Sequence, residues 1–261
     1  MPYARWDKER GFYALAGQSA QGTPAVLIHG AGGNHLAWPP AMRRLSGRPT
    51  YAIDLPGHGR TPPPGRQSVS DFSEWLLSML QAIGLSSSVW IGHSMGAAIA
   101  LDAALKAPEY CAGLVLIGGG ARMPVSPAIL AGLQSDFAAT VEQITRFAYG
   151  PNTPAEMKRI GQDQMALVGP CTLYGDFLAC AGFDVTTRLG EIHQPSLILC
   201  GSADRMMPPR YSIELHERLA GSELVIIPGA GHMVTFEQPE IVARAIAHFC
   251  NNLLTVDEKP E

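Results

Sequence analysis

The strongest constraint on the fold is a rhythm: short apolar runs alternate with longer segments whose apolar residues recur at helical spacing. The runs are "AVLIH" (Ala25 to His29), "TYAID" (Thr50 to Asp54), "SVWIG" (Ser88 to Gly92), "GLVLIG" (Gly113 to Gly118), "SLILCG" (Ser196 to Gly201) and "ELVIIPG" (Glu223 to Gly229). Continuous apolarity marks strands covered by helices on both faces, which is how parallel sheets are built. Helical patterns lie between the runs at Asp71 to Ile83, Met95 to Ala107 and Pro209 to Leu219, and follow the last at Pro239 to Leu253. Near the start, Tyr3 to Asp7 and Phe12 to Ala16 predict a hairpin turned at "KERG". The chain reads as an α/β protein.

The rhythm breaks once, between Arg122 and Gly190. No strand pattern occurs there, but helical patterns run over Ile129 to Gln134, Asp136 to Tyr149, Pro154 to Val168 and Cys171 to Ala181, separated by "GPNTP" and "VGP". This predicts a core of residues 1–121 and 191–261 carrying a helical insertion, 122–190, over the sheet. The tail "TVDEKPE" reads as a frayed end.

Composition narrows the function. With 46% hydrophobic and 16% charged residues over 261, the chain can bury a substantial core. A net charge of −4 offers no clustered Lys and Arg for phosphate backbones or anionic lipid, so nucleic acid is not an expected partner. No apolar run reaches the roughly 18 residues of a membrane span, and the polar start "MPYARWDKERG" does not read as an export leader. A cytoplasmic location follows as the default. Five scattered cysteines without a CxxC pair argue against a disulfide frame or a zinc site and predict mostly buried, reduced thiols.

"VWIGHSMGAAIAL" (Val89 to Leu101) passes from a β-forming run to a small-residue helical run, with Ser94 at the join between Gly92 and Gly96. So abrupt a turn strains its central residue and crowds the positions two before and two after, where glycines remove the clash. Ser94 is then lifted above the carboxyl ends of the strands, and the Met95 N–H at the helix start is free for an anion. A serine hydroxyl needs a base. His232 in "IIPGAGHM" sits on the loop after the last strand; His29 and His58 belong to glycine-rich turns and suit structure or pocket shape. His93 lies inside the turn itself, His193, His216 and His248 fall on surfaces, and His35 is a candidate pocket residue. The base needs an acid to fix its tautomer, and Asp204 in "LCGSADRMMP" follows the preceding strand. Asp54 in "DLPGHG" suits loop stabilisation instead. "LIHGAGG" places the Ala31 N–H where it can face Ser94 as a second oxyanion donor. It lacks the Lys-Ser/Thr of a phosphate-binding loop.

Taken in order, "HGAGG", "DLPGHG", "GHSMG" and "GSAD" followed by "GAGHM" make the chain resemble α/β-hydrolase fold proteins, over roughly Ala14 to Leu253. The resemblance implies an eight-stranded, mostly parallel sheet with a cap between strands six and seven. It also implies catalytic Ser94, Asp204 and His232, with oxyanion donors Ala31 and Met95. "HGAG" and "GHSMG" are similar to monoacylglycerol lipases, from which this sequence departs at Gly33, Asn34 and Ala97. A serine esterase or lipase acting through an acyl-enzyme is the leading expectation. It would need no metal or cofactor, take a small ester with an apolar acyl part, and work as a monomer or small homo-oligomer. Leu130, Leu133, Phe137, Phe147, Met157, Met165 and Phe177 of the insertion are offered as lining, Phe137 chief among them. Ser94 in place of aspartate excludes dehalogenase and epoxide hydrolase chemistry. Carbon–carbon bond hydrolases, thioesterases, acyltransferases and perhydrolases keep the serine triad, and a small-molecule receptor with little turnover is the rival outside catalysis.

Overall fold

The computed structural model describes residues 3–253; the tail read as frayed lies outside them. The strands are β1 (Tyr3–Trp6), β2 (Glu9–Ala16), β3 (Ala25–Ile28), β4 (Thr50–Ile53), β5 (Ser88–His93), β6 (Cys111–Ile117), β7 (Ser196–Gly201) and β8 (Glu223–Ile227). They form one sheet in the order β1-β2-β4-β3-β5-β6-β7-β8. Antiparallel pairing is confined to β1 with β2 and β2 with β4; the remaining neighbours are parallel. The hairpin forms as expected, but it turns at Asp7 (φ 46°) and β2 begins at Glu9, so most of "KERG" is already strand.

Helices follow the strands: α1 (Pro40–Arg43), α2 (Val69–Ala82), α3 (Met95–Lys106), α4 (Pro127–Ser135), α5 (Phe137–Ala148), α6 (Ala155–Ala166), α7 (Pro170–Ala181), α8 (Arg210–Arg218), α9 (Val234–Glu237) and α10 (Pro239–Leu253). None is long and apolar enough to cross a membrane. The short α1 and α9, at four residues each, fall below what periodicity can detect. Side chains on consecutive strand positions point to opposite faces, and both faces are covered here. Val26 and Ile28 pack with Trp75, Leu76, Ile99 and Leu215 of α2, α3 and α8, whereas Ala25 and Leu27 pack with Met42, Val242, Ile246 and Phe249 of α1 and α10. That two-sided burial is why the runs are continuous. The α4 to α7 helices lie between β6 and β7 in the chain and share a smaller apolar cluster, Leu133, Val141, Ile144, Leu173 and Phe177. Cys111, Cys180, Cys200 and Cys250 are buried thiols and Cys171 is exposed.

Candidate active site

Switching from β5 to α3 takes a single residue. Ser94 sits at φ 54°, ψ −118°, and with Asp7 it is one of the non-glycine residues at positive φ. Such strain persists only where the surroundings enforce it. A side chain on Gly92 would run into the backbone of Gly96, and one on Gly96 would strike the Ile28 carbonyl of β3. The second glycine is therefore demanded by the neighbouring strand, which the sequence alone did not reveal. From Ser88 to Leu101 every residue is buried except Ser94.

The acid and the histidine meet. His232 Nδ1 lies 2.8 Å from Asp204 Oδ2, with both residues buried. Asp204 Oδ1 accepts from the N–H groups of Met206 (2.9 Å) and Met207 (2.8 Å), so the carboxylate is held at both oxygens. An anion facing Nδ1 puts the proton there and leaves Nε2 with its lone pair, the arrangement a general base requires. His232 is tied to the serine turn through its backbone: His93 Nε2 donates to the His232 carbonyl at 2.9 Å, and the two rings are 5.0 Å apart. Burial and then the neighbouring His232 depress His93 to about 4, keeping it neutral. Ser94 Oγ makes no hydrogen bond among the described residues. Catalytic hydrogen bonds in ligand-free sites often tighten only when substrate arrives.

Two contributors were missed by sequence reasoning. Gly118, just beyond β6, has φ +58°, and a Cβ there would sit 3.2 Å from His232 Nδ1 and 3.6 Å from Asp204 Oδ2. Gly118 thus leaves the hollow into which the pair fits. Glu237 accepts from the N–H groups of Gly150 and Gly231 and from Thr153 Oγ1 (2.7 Å), clamping the histidine loop to the end of α5. Nothing in the sequence pattern distinguishes that glutamate from an ordinary first-turn helix residue.

Opposite the turn, the loop after β3 passes close to the serine: a Cβ on Gly30 would lie 3.1 Å from the Ser94 Cβ. Among the described residues, no hydrogen bond within the chain occupies the N–H of Ala31 or of Met95. Both are therefore open to an incoming oxygen. His35 is spent elsewhere. Its ring Nδ1 lies 2.9 Å from Asp54 Oδ1, its N–H donates to the same oxygen, and its ring packs on Phe12 at 4.9 Å. These contacts brace the β3–β4 loop. Asp54 also accepts from the Arg60 N–H, and the loop-stabilising reading fits these contacts. Phe137, the first residue of α5, is partly buried against the apolar cluster of α4 to α7, and the same cluster touches Ala31 and Met206.

Residues 25–245 match the profile of the alpha/beta hydrolase family. The chain belongs to that family. It is 28% identical over 242 residues to a pimeloyl-[acyl-carrier protein] methyl ester esterase of Yersinia enterocolitica, covering 86% of this chain and 92% of that protein. A solved thermophilic esterase superposes with a TM-score of 0.85 at 28% identity, covering 96% of this chain and 97% of that one. The enol-lactonase of Burkholderia xenovorans superposes with a TM-score of 0.88 over 96% of this chain and 100% of its own length; at 18% identity it speaks for the fold alone.

Proposed function

We propose that this hydrolase cleaves a small, largely apolar carboxylic ester through an acyl-enzyme formed on Ser94. The observation that carries the reading is the 2.8 Å contact of His232 Nδ1 with Asp204 Oδ2, beside a strained serine to which the His232 carbonyl is tethered through His93. Ser94 Oγ attacks the ester carbonyl as His232 Nε2 takes its proton. The Ala31 and Met95 N–H groups hold the oxyanion, and His232 returns the proton to the leaving alcohol. Water, deprotonated by the same nitrogen, then attacks the acyl carbonyl and releases the acid. Asp204 keeps the imidazole in its working tautomer and stabilises the imidazolium. No step calls for a metal or organic cofactor.

Residues 122–190 serve as the cap over a core of 1–121 and 191–261. Support comes from the apolar cluster of α4 to α7, which packs against Ala31 of the loop after β3 and against Met206 of the acid loop. An acyl chain entering there meets Leu173, Met165 and Phe177. The enzyme is read as cytoplasmic, working as a monomer or small homo-oligomer on its small-molecule substrate. A fluorophosphonate probe should label Ser94, and a panel of methyl, ethyl and p-nitrophenyl esters of short and medium acids should be turned over. Absence of both labelling and turnover would leave a binding protein in place of an enzyme.

A further inference from the structure

A second histidine–carboxylate pair lies beneath the oxyanion loop, outside the catalytic constellation. Asp176, on α7, is fully buried. Its Oδ2 accepts from the Gly32 N–H at 2.8 Å and lies 2.8 Å from His58 Nε2, and its Oδ1 is buried without a partner among the described residues. His58 Nδ1 lies 2.9 Å from the carbonyl of Pro56, which can only accept. With Asp176 ionised, both ring nitrogens of His58 face acceptors, and only an imidazolium has a proton for each. A neutral ring would set a lone pair against an oxygen inside the protein. The adjoining His29, with ring centroids 4.9 Å away, is wired the opposite way: its Nδ1 donates to the Gly30 carbonyl and its Nε2 accepts from the Leu55 N–H at 3.1 Å. That wiring satisfies a neutral ring, and burial with the charge of His58 holds it at about 3.

We propose that Asp176 and a protonated His58 form a buried ion pair that positions the oxyanion loop, with the cap helix α7 holding Gly32 and so aiming the Ala31 N–H at the substrate. The proposal rests on the esterase reading for its catalytic consequence, and on hydrogen-bond wiring alone for the charge of His58. Gly32 is a pivot at φ +67°, and among the described residues its side-chain anchor is Asp176 Oδ2. The peptide unit between Ala31 and Gly32 thus carries the anchored N–H, one residue beyond the N–H that faces the oxyanion. Met165 and Leu173 lie over the same pivot: a Cβ on Gly32 would sit 2.8 Å from the Met165 Cγ and 3.0 Å from the Leu173 Cδ1. The loop is consequently pressed from above by apolar side chains and pinned from the side by one carboxylate. His58 supplies the countercharge without which that carboxylate would be buried alone. Asp176 is in this sense a positioning residue, since it acts through Gly32 and touches no reacting atom.

Two measurements test the pair. In the wild-type protein labelled with ¹⁵N-histidine, the His58 ring, assigned by its loss in His58→Gln, should show two protonated nitrogens at pH 8; a neutral tautomer there would overturn the ion pair. In Asp176→Asn the kcat for an ester substrate should fall roughly 10- to 100-fold at nearly unchanged KM, below the ~10²–10³ cost of deleting an oxyanion donor outright. Fluorophosphonate labelling of Ser94 should slow in proportion, since phosphonylation uses the same donors. A wild-type chain that neither labels nor turns over would sink the esterase reading and leave the NMR result standing. A wild-type chain that labels, beside an Asp176→Asn variant with unchanged kcat, would sink the positioning role. Should Asp176→Asn not fold, the doubly neutral His58→Gln/Asp176→Asn variant, which buries no lone charge, carries the same kinetic comparison with the same two outcomes.

Discussion

His232 with Asp204 and His58 with Asp176 are the same pair on paper: an imidazole and a carboxylate at 2.8 Å, all four residues buried. Their wiring separates them. His232 gives its Nδ1 to the acid and keeps Nε2 free among the described residues, whereas His58 gives Nε2 to the acid and spends Nδ1 on Pro56. The acids differ too. Asp204 satisfies both oxygens, with two backbone N–H groups on the second, while Asp176 leaves Oδ1 without a partner among the described residues. A histidine–carboxylate pair can serve as a base only where one nitrogen has nothing else to do. Where both are engaged, it is a fixed charge, fit for holding a loop.

Removing the proposed base is the sharpest way to test that division. His232→Ala and Ser94→Ala should each cost several orders of magnitude in kcat while leaving the protein folded, with each measured by active-site-titrated steady-state kinetics. Asp204→Asn should lose about 10⁴-fold through the wrong tautomer. If Asp176→Asn cost as much as Asp204→Asn, the distinction between the pairs would be broken. A smaller effect belongs to the hollow at Gly118. Gly118→Ala puts a methyl 3.2 Å from His232 Nδ1 at a positive φ, so the ring must move or the backbone must strain. About 10²-fold in kcat is the scale expected when a catalytic group is displaced by about an ångström. Equal kcat in that variant would show that the ring tolerates displacement and that positioning matters less than the wiring implies.

The same comparison shows what a sequence can and cannot disclose. The fold was legible because two-sided burial writes itself as continuous apolar runs, and the serine turn because strain demands glycines at fixed spacing. Asp204 and His232 could be picked out from their places on the loops after β7 and β8. Asp176 could not: it lies mid-helix in α7, where a lone aspartate reads as solvent-facing, and its partners Gly32 and His58 are remote in sequence. The contacts of His35 with Asp54 and Phe12 were hidden for a related reason, since they join residues of different elements. Local pattern reports backbone demands. Tertiary pairing of single polar residues leaves no periodic trace.

The smallest effect, and one that needs no substrate, is on stability. His29 and His93 are held neutral by burial, at about 3 and about 4 against an ordinary 6.5. Below about pH 6.5 the unfolded chain therefore binds protons that the folded chain refuses, and stability falls on acidification by up to about 1.4 kcal/mol per pH unit for each histidine. His58 has the opposite sign. Burial opposes its charge, but Asp176 outweighs burial and raises its value, so its contribution is complete below the ordinary histidine range and is lost as pH rises through the raised value. Stability should therefore decline on both sides, with different owners. Denaturant midpoints of Ser94→Ala compared with Ser94→Ala/Asp176→Asn across pH 4.5 to 9 isolate them: the acid limb should persist in both, and the alkaline limb should vanish with Asp176. An alkaline limb that survives the loss of Asp176 would have another source, and the fixed charge assigned to His58 would lose its thermodynamic signature.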